Sequence, residues 1–362
     1  MKKVLVLGCT GSIGTSTLNI ARNEEEKFKI VGLSANSNKK SLDFLSKEFS
    51  CPSTLTEKDG VEGIERLIEK TSPDIVVNGI SGAAGLLPSK MVLERGIDLA
   101  LANKETVVMA WHLVKELSLE KGAHIIPVDS EHSAIFSLIN QIKKENIESI
   151  VITASGGPFR TMAKEELEKV TLNDALNHPT WKMGKKITVD SATLANKGLE
   201  IIEASRLFDV ESEKIQVVVH PQSLIHSLVR TNDGLLYGQI SEPDMKRPIL
   251  GALNWPSVEK NHLKKFDLFD KTMTFFRPRL KDFPMLEYGF EAAKNSKSYT
   301  IAYNAANEIA VKAFIDGKIG FTAISRIVRS VLDKDWSLSP STFEEIFEAD
   351  KKARLFALEE LG

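Results

Sequence analysis

The first 128 residues alternate short apolar runs with helix-like stretches, and this rhythm restricts the fold more than any other feature of the chain. Apolar runs at 3–7, 28–33, 74–79, 97–101 and 124–128 read as strands, 12–23 reads as a helix, and amphipathic stretches fill the intervals. Strands separated by helices are joined by crossovers, so the pattern predicts a parallel sheet. Further on the rhythm changes. Apolar runs at 149–153, 214–219, 224–229 and 235–240 lie among loops rich in Gly, Ser, Thr and Pro, as in a separate α+β domain. After Pro278 and Pro284 only helix-compatible segments remain, near 285–295, 300–316, 321–333 and 342–358. The expected fold is α/β: a Rossmann-like parallel-sheet domain over 1–123, an α+β domain over 124–255, a linker over 256–284 and a small helical bundle over 285–362. A chain of 362 residues exceeds one compact core of ordinary size, which agrees with this division.

Charge and cysteine content exclude several classes of function. Lys and Arg total 47 against 49 Asp and Glu, so nothing implies a general attraction to nucleic acid or anionic lipid, and any phosphate must be bound locally. Cys9 and Cys51 are the only cysteines; they offer no metal-ligand spacing and suit a reducing, cytoplasmic compartment. The apolar start stops at Gly8, too soon for a signal peptide, and no later run reaches the roughly 18 residues that span a membrane.

The first strand runs into Gly8-Cys9-Thr10-Gly11-Ser12-Ile13-Gly14 and then a helix. Glycines at such a turn let backbone N–H groups and a helix N-terminus approach a pyrophosphate. The spacing is G-x-x-G-x-x-G rather than the usual G-x-G-x-x-G, and position after the first strand of a βα pattern gives it weight that glycines alone lack. The second strand is followed by Ser34-Ala35-Asn36-Ser37-Asn38-Lys39-Lys40, with no acid before Asp43. An NAD site usually has a carboxylate there for the ribose 2′-hydroxyl, whereas a polar and basic run suits the 2′-phosphate of NADP. A solvated basic loop is the plain alternative.

At the carboxyl end of the strand at 124–128 stands Asp129-Ser130-Glu131-His132. In an extended segment residues two apart face one side, so Asp129 and Glu131 would face one point, where two carboxylates call for a cation between them. N-capping of an apolar helix beginning near Ser133 by Asp129 or Ser130 is of equal weight. Further acids stand in the segment from Asp190 to Glu200, and an all-oxygen set suits Mg²⁺ or Mn²⁺. Glu203, one turn beyond Glu200, is a possible substitute in that set, with an ordinary surface role the expected reading. The Thr153–Phe159 segment, with Ser155 and two glycines, forms either a phosphate nest or a Gly-Pro turn. Trp181 and Met183 in a loop serve as a core anchor or a lid. Among His220 and His226, at least one is expected to be a packed, hydrogen-bonded residue. Lys104, after the strand at 97–101, either meets a substrate oxygen or makes a surface salt bridge.

These segments taken together, with Asn103-Lys104-Glu105, Asp129-Ser130-Glu131-His132, Ser155-Gly156-Gly157-Pro158-Phe159-Arg160, His178-Pro179-Thr180-Trp181, Asp190-Ser191 followed by Asn196-Lys197-Gly198-Leu199-Glu200, and His220-Pro221-Gln222-Ser223, resemble the 1-deoxy-D-xylulose 5-phosphate reductoisomerase family in type and order. The resemblance runs from Lys2 to the C-terminal helices and implies nucleotide-binding, catalytic and helical domains. It implies NADPH held by Thr10, Gly11, Ser12, Ile13, Ala35, Asn36, Ser37, Asn38, Asn103 and Glu105. Some relatives carry Gly-Lys-Asn after strand two, where this chain has Ala35-Asn36-Ser37-Asn38. A divalent ion, Mg²⁺ or Mn²⁺ with Co²⁺ as a further candidate, would be held by Asp129, Glu131 and Glu200. Lys104, Glu131 and His132 would be catalytic. A small sugar phosphate would meet Lys104, Ser130, Glu131, Ser155, His178, Trp181, Ser191, Asn196, Lys197 and Glu200. The implied reaction is NADPH-dependent rearrangement and reduction of a deoxyketose phosphate toward isoprenoid precursors, by a cytoplasmic homodimer with no nucleic-acid or membrane partner. A plain NADP-dependent dehydrogenase, which needs no metal, and a nucleotide-sensing protein without turnover are the competing readings at this point.

Overall fold

Val4, Leu5, Val6 and Leu7 are fully buried, as a continuous apolar run must be when it forms an inner strand covered on both faces. The computed structural model describes all 362 residues. Its strands are β1 (Lys2–Leu7), β2 (Phe28–Ala35), β3 (Ser53–Leu55), β4 (Ile75–Asn78), β5 (Asp98–Leu101), β6 (Ile125–Pro127), β7 (Ile147–Ala154), β8 (Ile215–Val219), β9 (Ile225–Thr231) and β10 (Leu236–Ile240). The first helices are α1 (Ser12–Asn23), α2 (Lys39–Glu48), α3 (Thr56–Thr71), α4 (Leu86–Glu94), α5 (Lys104–Lys121), α6 (Ser130–Ile139) and α7 (Leu172–Leu176). They are followed by α8 (Lys185–Thr193), α9 (Ala195–Phe208), α10 (Lys246–Asn254), α11 (Met285–Asn295), α12 (Tyr299–Ile315), α13 (Phe321–Leu332) and α14 (Phe343–Glu359). Residues 1–106, 112–133 and 244–265 form one compact unit; residues 107–111, 134–243 and 266–362 form a second.

The first unit is built on a six-stranded sheet of order β3-β2-β1-β4-β5-β6, with every pairing parallel. This is the α/β class that the alternation predicts, in the doubly wound dinucleotide-binding order. The order reverses beside β1, so the turns after β1 and β4 diverge and leave a crevice at the carboxyl ends of the strands. Strand β3 is an addition to the five expected, because three residues carry no period to detect.

The second unit holds a four-stranded sheet of order β10-β9-β7-β8 and the C-terminal helices. Its core gathers Phe159, Tyr303, Phe314, Phe321 and Trp336, with the Phe159 and Phe321 rings edge to face at 5.1 Å. Two glycines fix where α9 lies: a Cβ on Gly289 would fall 2.3 Å from the Gly198 Cα, and one on Gly198 would fall 2.3 Å from the Tyr303 hydroxyl. The buried Tyr303 hydroxyl donates to the Met285 carbonyl at 2.9 Å, which satisfies its polar end inside an apolar core. At the other edge β10 leaves Leu236, Tyr237 and Ile240 more than 40% exposed.

One local expectation is corrected. Helix α6 begins at Ser130, not near Ser133, so Asp129 and Glu131 do not share one side of an extended segment. The Ser133 N–H donates to the Asp129 carbonyl at 2.8 Å, which makes Asp129 the residue on which the helix starts.

Candidate active site

In the first unit the glycine turn is dictated by close approach. Gly8 has φ +77° and faces the Gly79 carbonyl, while a Cβ on Gly14 would lie 2.4 Å from the Cys9 Cα and the Gly8 carbonyl oxygen. Helix α1 therefore starts hard against the end of β1, with Gly11 at its N-cap and no side chain capping it. Its first N–H groups are left for an anion, the condition a pyrophosphate requires. Beyond β2, Asn38 caps α2 by accepting from the Ser41 N–H at 3.1 Å, and the Asn36 side chain accepts from the Thr56 hydroxyl at 3.1 Å. Asp43 lies on α2, a turn further on, so Ser37, Asn38, Lys39 and Lys40 form an exposed acid-free rim. Buried Asn103 ties two turns together: it donates to the Ile80 and Gly82 carbonyls at 2.8 Å and accepts from the Thr106 N–H at 3.0 Å. It also donates to Glu105 at 2.9 Å.

Lys104 opens α5, where the helix dipole disfavours a cation, and it is buried. An ion pair with Asp129 compensates it. Burial pushes the Asp129 carboxyl up, but Lys104 and His132 outweigh that and hold it well below the usual carboxylate range. Fully buried His132 lies behind Asp129, its Nδ1 3.8 Å from the carboxylate. The Ser130 hydroxyl donates to Glu131 at 2.6 Å. Oxygens of Asp129 and Glu131 lie within 4.8 Å of each other, so this all-oxygen donor pair fits a hard divalent cation.

In the second unit three residues distant in sequence meet. The His178 Nε2 lies 2.9 Å from the Ser155 hydroxyl and 3.2 Å from that of Ser191. Its Nδ1 accepts from the N–H groups of Thr180 and Trp181 at 3.1 and 2.9 Å, which assigns the proton to Nε2. Burial, and then the charge of Arg160, push the ring down to about 4, so it is neutral near pH 7. Glycine makes the approach possible: a Cβ on Gly157 would fall 2.7 Å from the Ser191 carbonyl. Leu194, at φ +63°, ends α8 and lets α9 restart at once, which sets Asn196 and Lys197 a few residues from Ser191. Both bond to Glu200, and Lys197 and Glu200 are buried.

Trp181 is half-buried in a segment without helix or strand, its ring 6.4 Å from that of His226. His226 and His220 both prove to be hydrogen-bonded residues: His226 Nε2 lies 2.8 Å from the Ser241 hydroxyl, and His220 meets the Thr274 carbonyl at 2.9 Å and accepts from the Leu224 N–H. Glu203 is buried at 1% exposure, which corrects its reading as a surface residue; it faces inward because α9 is covered on nearly all sides. Sequence reasoning missed Arg160 beside His178. It also missed the support of α8, where Asn307 donates to Asp190 at 2.8 Å and Lys186 pairs with Asp190 at 2.9 Å. Nor did it find half-buried Arg206, which donates to the Val107 and Val108 carbonyls near a kink at Ala110 in α5. An Arg in a helical pattern carries no signal of such a partner.

Comparison with known proteins covers the segments that carry these residues. The family model described as 1-deoxy-D-xylulose 5-phosphate reductoisomerase matches 4–59 and 45–111; models of its C-terminal domains match 125–208 and 240–356. The 1-deoxy-D-xylulose 5-phosphate reductoisomerase of Treponema denticola is 50% identical over 99% of this chain and 96% of its own length. That of Chlorobaculum tepidum is 45% identical over the full length of both. Among solved structures, a DOX-P reductoisomerase in complex with NADPH, fosmidomycin and magnesium has TM-score 0.92 and 36% identity over 100% of this chain and 98% of that one. The Zymomonas mobilis enzyme in complex with NADPH has TM-score 0.89 and 37% identity over 99% of each chain. With sheet order, glycine turn and likeness over almost its whole length in agreement, the chain belongs to the 1-deoxy-D-xylulose 5-phosphate reductoisomerase family.

Proposed function

We propose that this chain converts 1-deoxy-D-xylulose 5-phosphate to 2-C-methyl-D-erythritol 4-phosphate, rearranging the carbon skeleton and reducing the branched aldehyde with NADPH, in the supply of isoprenoid precursors. The observation that carries the reading is the neutral His178 ring bonded to two serine hydroxyls from separate segments, a cluster of donors suited to a phosphate. Ser155, His178, Ser191, Asn196 and Lys197 hold that phosphate, and its binding energy keeps the sugar oriented while its skeleton changes. Trp181 and Met183 form a lid that excludes water. Thr10, Gly11, Ser12 and Ile13 bind the NADPH pyrophosphate; Ala35, Asn36, Ser37 and Asn38 border its ribose phosphate; Asn103 and Glu105 brace the turn beside it.

Asp129, Glu131 and Glu200 are the ligands of a divalent ion, Mg²⁺ or Mn²⁺, with Co²⁺ a further candidate. When bound, the ion supplies a Lewis acid for charge that develops on substrate oxygens. Lys104 adds its ammonium beside those oxygens, Glu131 helps a substrate hydroxyl lose its proton, and Ser130 positions Glu131 through their hydrogen bond. His132 stays behind Asp129 and orients its carboxylate. NADPH supplies the hydride that reduces the aldehyde.

The open β10 edge, with its exposed Leu236, Tyr237 and Ile240, supports a homodimer that covers it. The two cysteines are free thiols, which agrees with a cytoplasmic site of action. No helix is long and apolar enough to cross a membrane. By function the chain divides into 1–123, 124–255, 256–284 and 285–362, although residues 124–133 and 244–265 pack with the nucleotide-binding sheet. The test is NMR analysis of the product formed from deoxyxylulose phosphate, NADPH and Mn²⁺. Methylerythritol phosphate is expected; an unbranched reduced sugar phosphate would identify a plain dehydrogenase.

A further inference from the structure

The second unit contains a cavity of about 540 Å³ that no step above uses. None of Ser155, His178, Ser191, Asn196 and Lys197 lines it. Its walls are the turn at Gly156–Thr161, the end of β8, and the segment from Thr274 to Arg279. Hydrogen bonds fix those walls. Val219 and Phe276 exchange backbone bonds at 2.9 Å in both directions, and Gln222 donates to the Thr274 hydroxyl at 2.9 Å. The shape is thus preformed, and its volume lies in the range of small-molecule sites.

The charge of the lining is one-sided. Arg160, Arg277 and Arg279 line the cavity, and no carboxylate does. Arg279 is neutralised by Asp282, to which its Nε donates at 2.8 Å, while its Nη1 donates to the Arg160 and Met162 carbonyls. Arg160 and Arg277 make no ion pair. The Arg160 side chain is pressed against Gly156, whose added Cβ would meet its Cβ and Cδ at 3.2 Å. Two uncompensated guanidinium groups in a concave site focus positive potential and present forked donors that match a phosphate. The rest of the lining is apolar, from Leu194, Val219, Phe276 and Phe283, and Phe276 stands 55% exposed. A bare inorganic anion would leave that surface in water, whereas an anion on an apolar body would cover it.

We propose that this cavity is a second ligand site, separate from the His178 cluster, which takes a phosphate monoester of a small apolar alcohol. The phosphate meets Arg160 and Arg277, and the apolar body lies against Leu194, Val219 and Phe276. The proposal rests on the reading of the His178 cluster only in the use of fosmidomycin as a blocking ligand, and fosmidomycin binding is measured first on its own.

The experiment is calorimetric titration of the full-length protein, supplied with Mg²⁺ and NADPH, with phenyl phosphate, before and after saturation with fosmidomycin. Parallel titrations use inorganic phosphate and the variants Arg277→Ala and Arg277→Lys; thermal melts of both variants verify folding at this exposed position. Phenyl phosphate is expected to bind with fosmidomycin present, about tenfold or more weakly to Arg277→Ala, and with affinity largely restored in Arg277→Lys. Inorganic phosphate is expected to bind far more weakly. Loss of phenyl phosphate binding on saturation would reduce the two sites to one and overturn the proposal. So would an unchanged affinity in Arg277→Ala, or equal affinity for inorganic phosphate. If fosmidomycin itself fails to bind, the reading of the His178 cluster falls, while the Arg277 comparison still decides this one.

Discussion

Replacing His178 by Gln tests the site through its protonation as well as its contacts. The ring accepts two backbone N–H groups and donates toward two serines, so it is held neutral, with its pKa lowered to about 4 by burial and Arg160. In the unfolded chain an ordinary imidazole takes up its proton near pH 6.5. Between these values the unfolded state binds more protons than the folded one, so folding stability falls as the pH falls through that window. The fall from 6.5 to about 4, at 1.36 kcal/mol per pH unit, caps the effect at about 3.4 kcal/mol, and screening of the half-buried ring reduces it to roughly 1.5 kcal/mol. Glutamine does not titrate. Urea unfolding of the wild type and His178→Gln, followed by tryptophan fluorescence at pH 7.5 and 4.5, isolates the residue because all other groups cancel in the double difference. The advantage of the wild type should shrink by about 1.5 kcal/mol at the lower pH. A constant or growing advantage, or an imidazole NMR titration of His178 centred near 6.5, would refute the reasoning.

Gly14→Ala forces a Cβ to within 2.4 Å of backbone atoms that cannot swing aside; at about 1–3 kcal/mol of overpacking it should weaken NADPH binding in a fluorescence titration, and an unchanged Kd would separate the turn from the nucleotide site. NADPH should exceed NADH in kcat/KM because the rim at Ser34–Lys40 lacks a carboxylate; comparable values would remove that claim. Asp129→Asn and Glu200→Gln should each abolish Mn²⁺-dependent turnover and leave NADPH affinity intact, and wild-type activity at limiting metal in either variant would count against these ligands. Trp181→Ala should lower kcat/KM with little loss in the thermal melt, whereas a core tryptophan would cost about 3–5 kcal/mol of stability and near-normal kinetics.

The parts of the fold legible in the sequence are those fixed by local period and punctuation. Strands such as Lys2–Leu7 and helices such as Met285–Asn295 follow from apolar spacing, and the glycine turn from its place between them. The sheet order emerges only when β4 crosses to the far side of β1, a long-range pairing that no local window contains. The same holds for the site. Its residue types stand out in loops, but the meeting of Ser155, His178 and Ser191 depends on Gly157 and on Leu194 in a left-handed turn, and a leucine gives no sign of that conformation. Glu203 failed in the opposite direction: acids usually face solvent, and only the enclosure of α9 by its neighbours reveals that this one does not.

That enclosure explains why the site breaks local rules. Lys104 begins α5 and Lys197 lies in the first turn of α9, positions where the dipole opposes a cation by about 0.3–1 kcal/mol, and both are buried. Either lysine alone would destabilise its helix. Each is paired with a carboxylate on which the proposed chemistry depends, Lys104 with Asp129 and Lys197 with Glu200. Such pairs give little net stability, because desolvation offsets their attraction, yet removing one member strands a buried charge at roughly 3–5 kcal/mol. Folding therefore constrains these four residues as pairs. Loss of turnover in Asp129→Asn or Glu200→Gln must accordingly be read beside retained NADPH binding, which separates a missing metal ligand from a helix start that no longer holds.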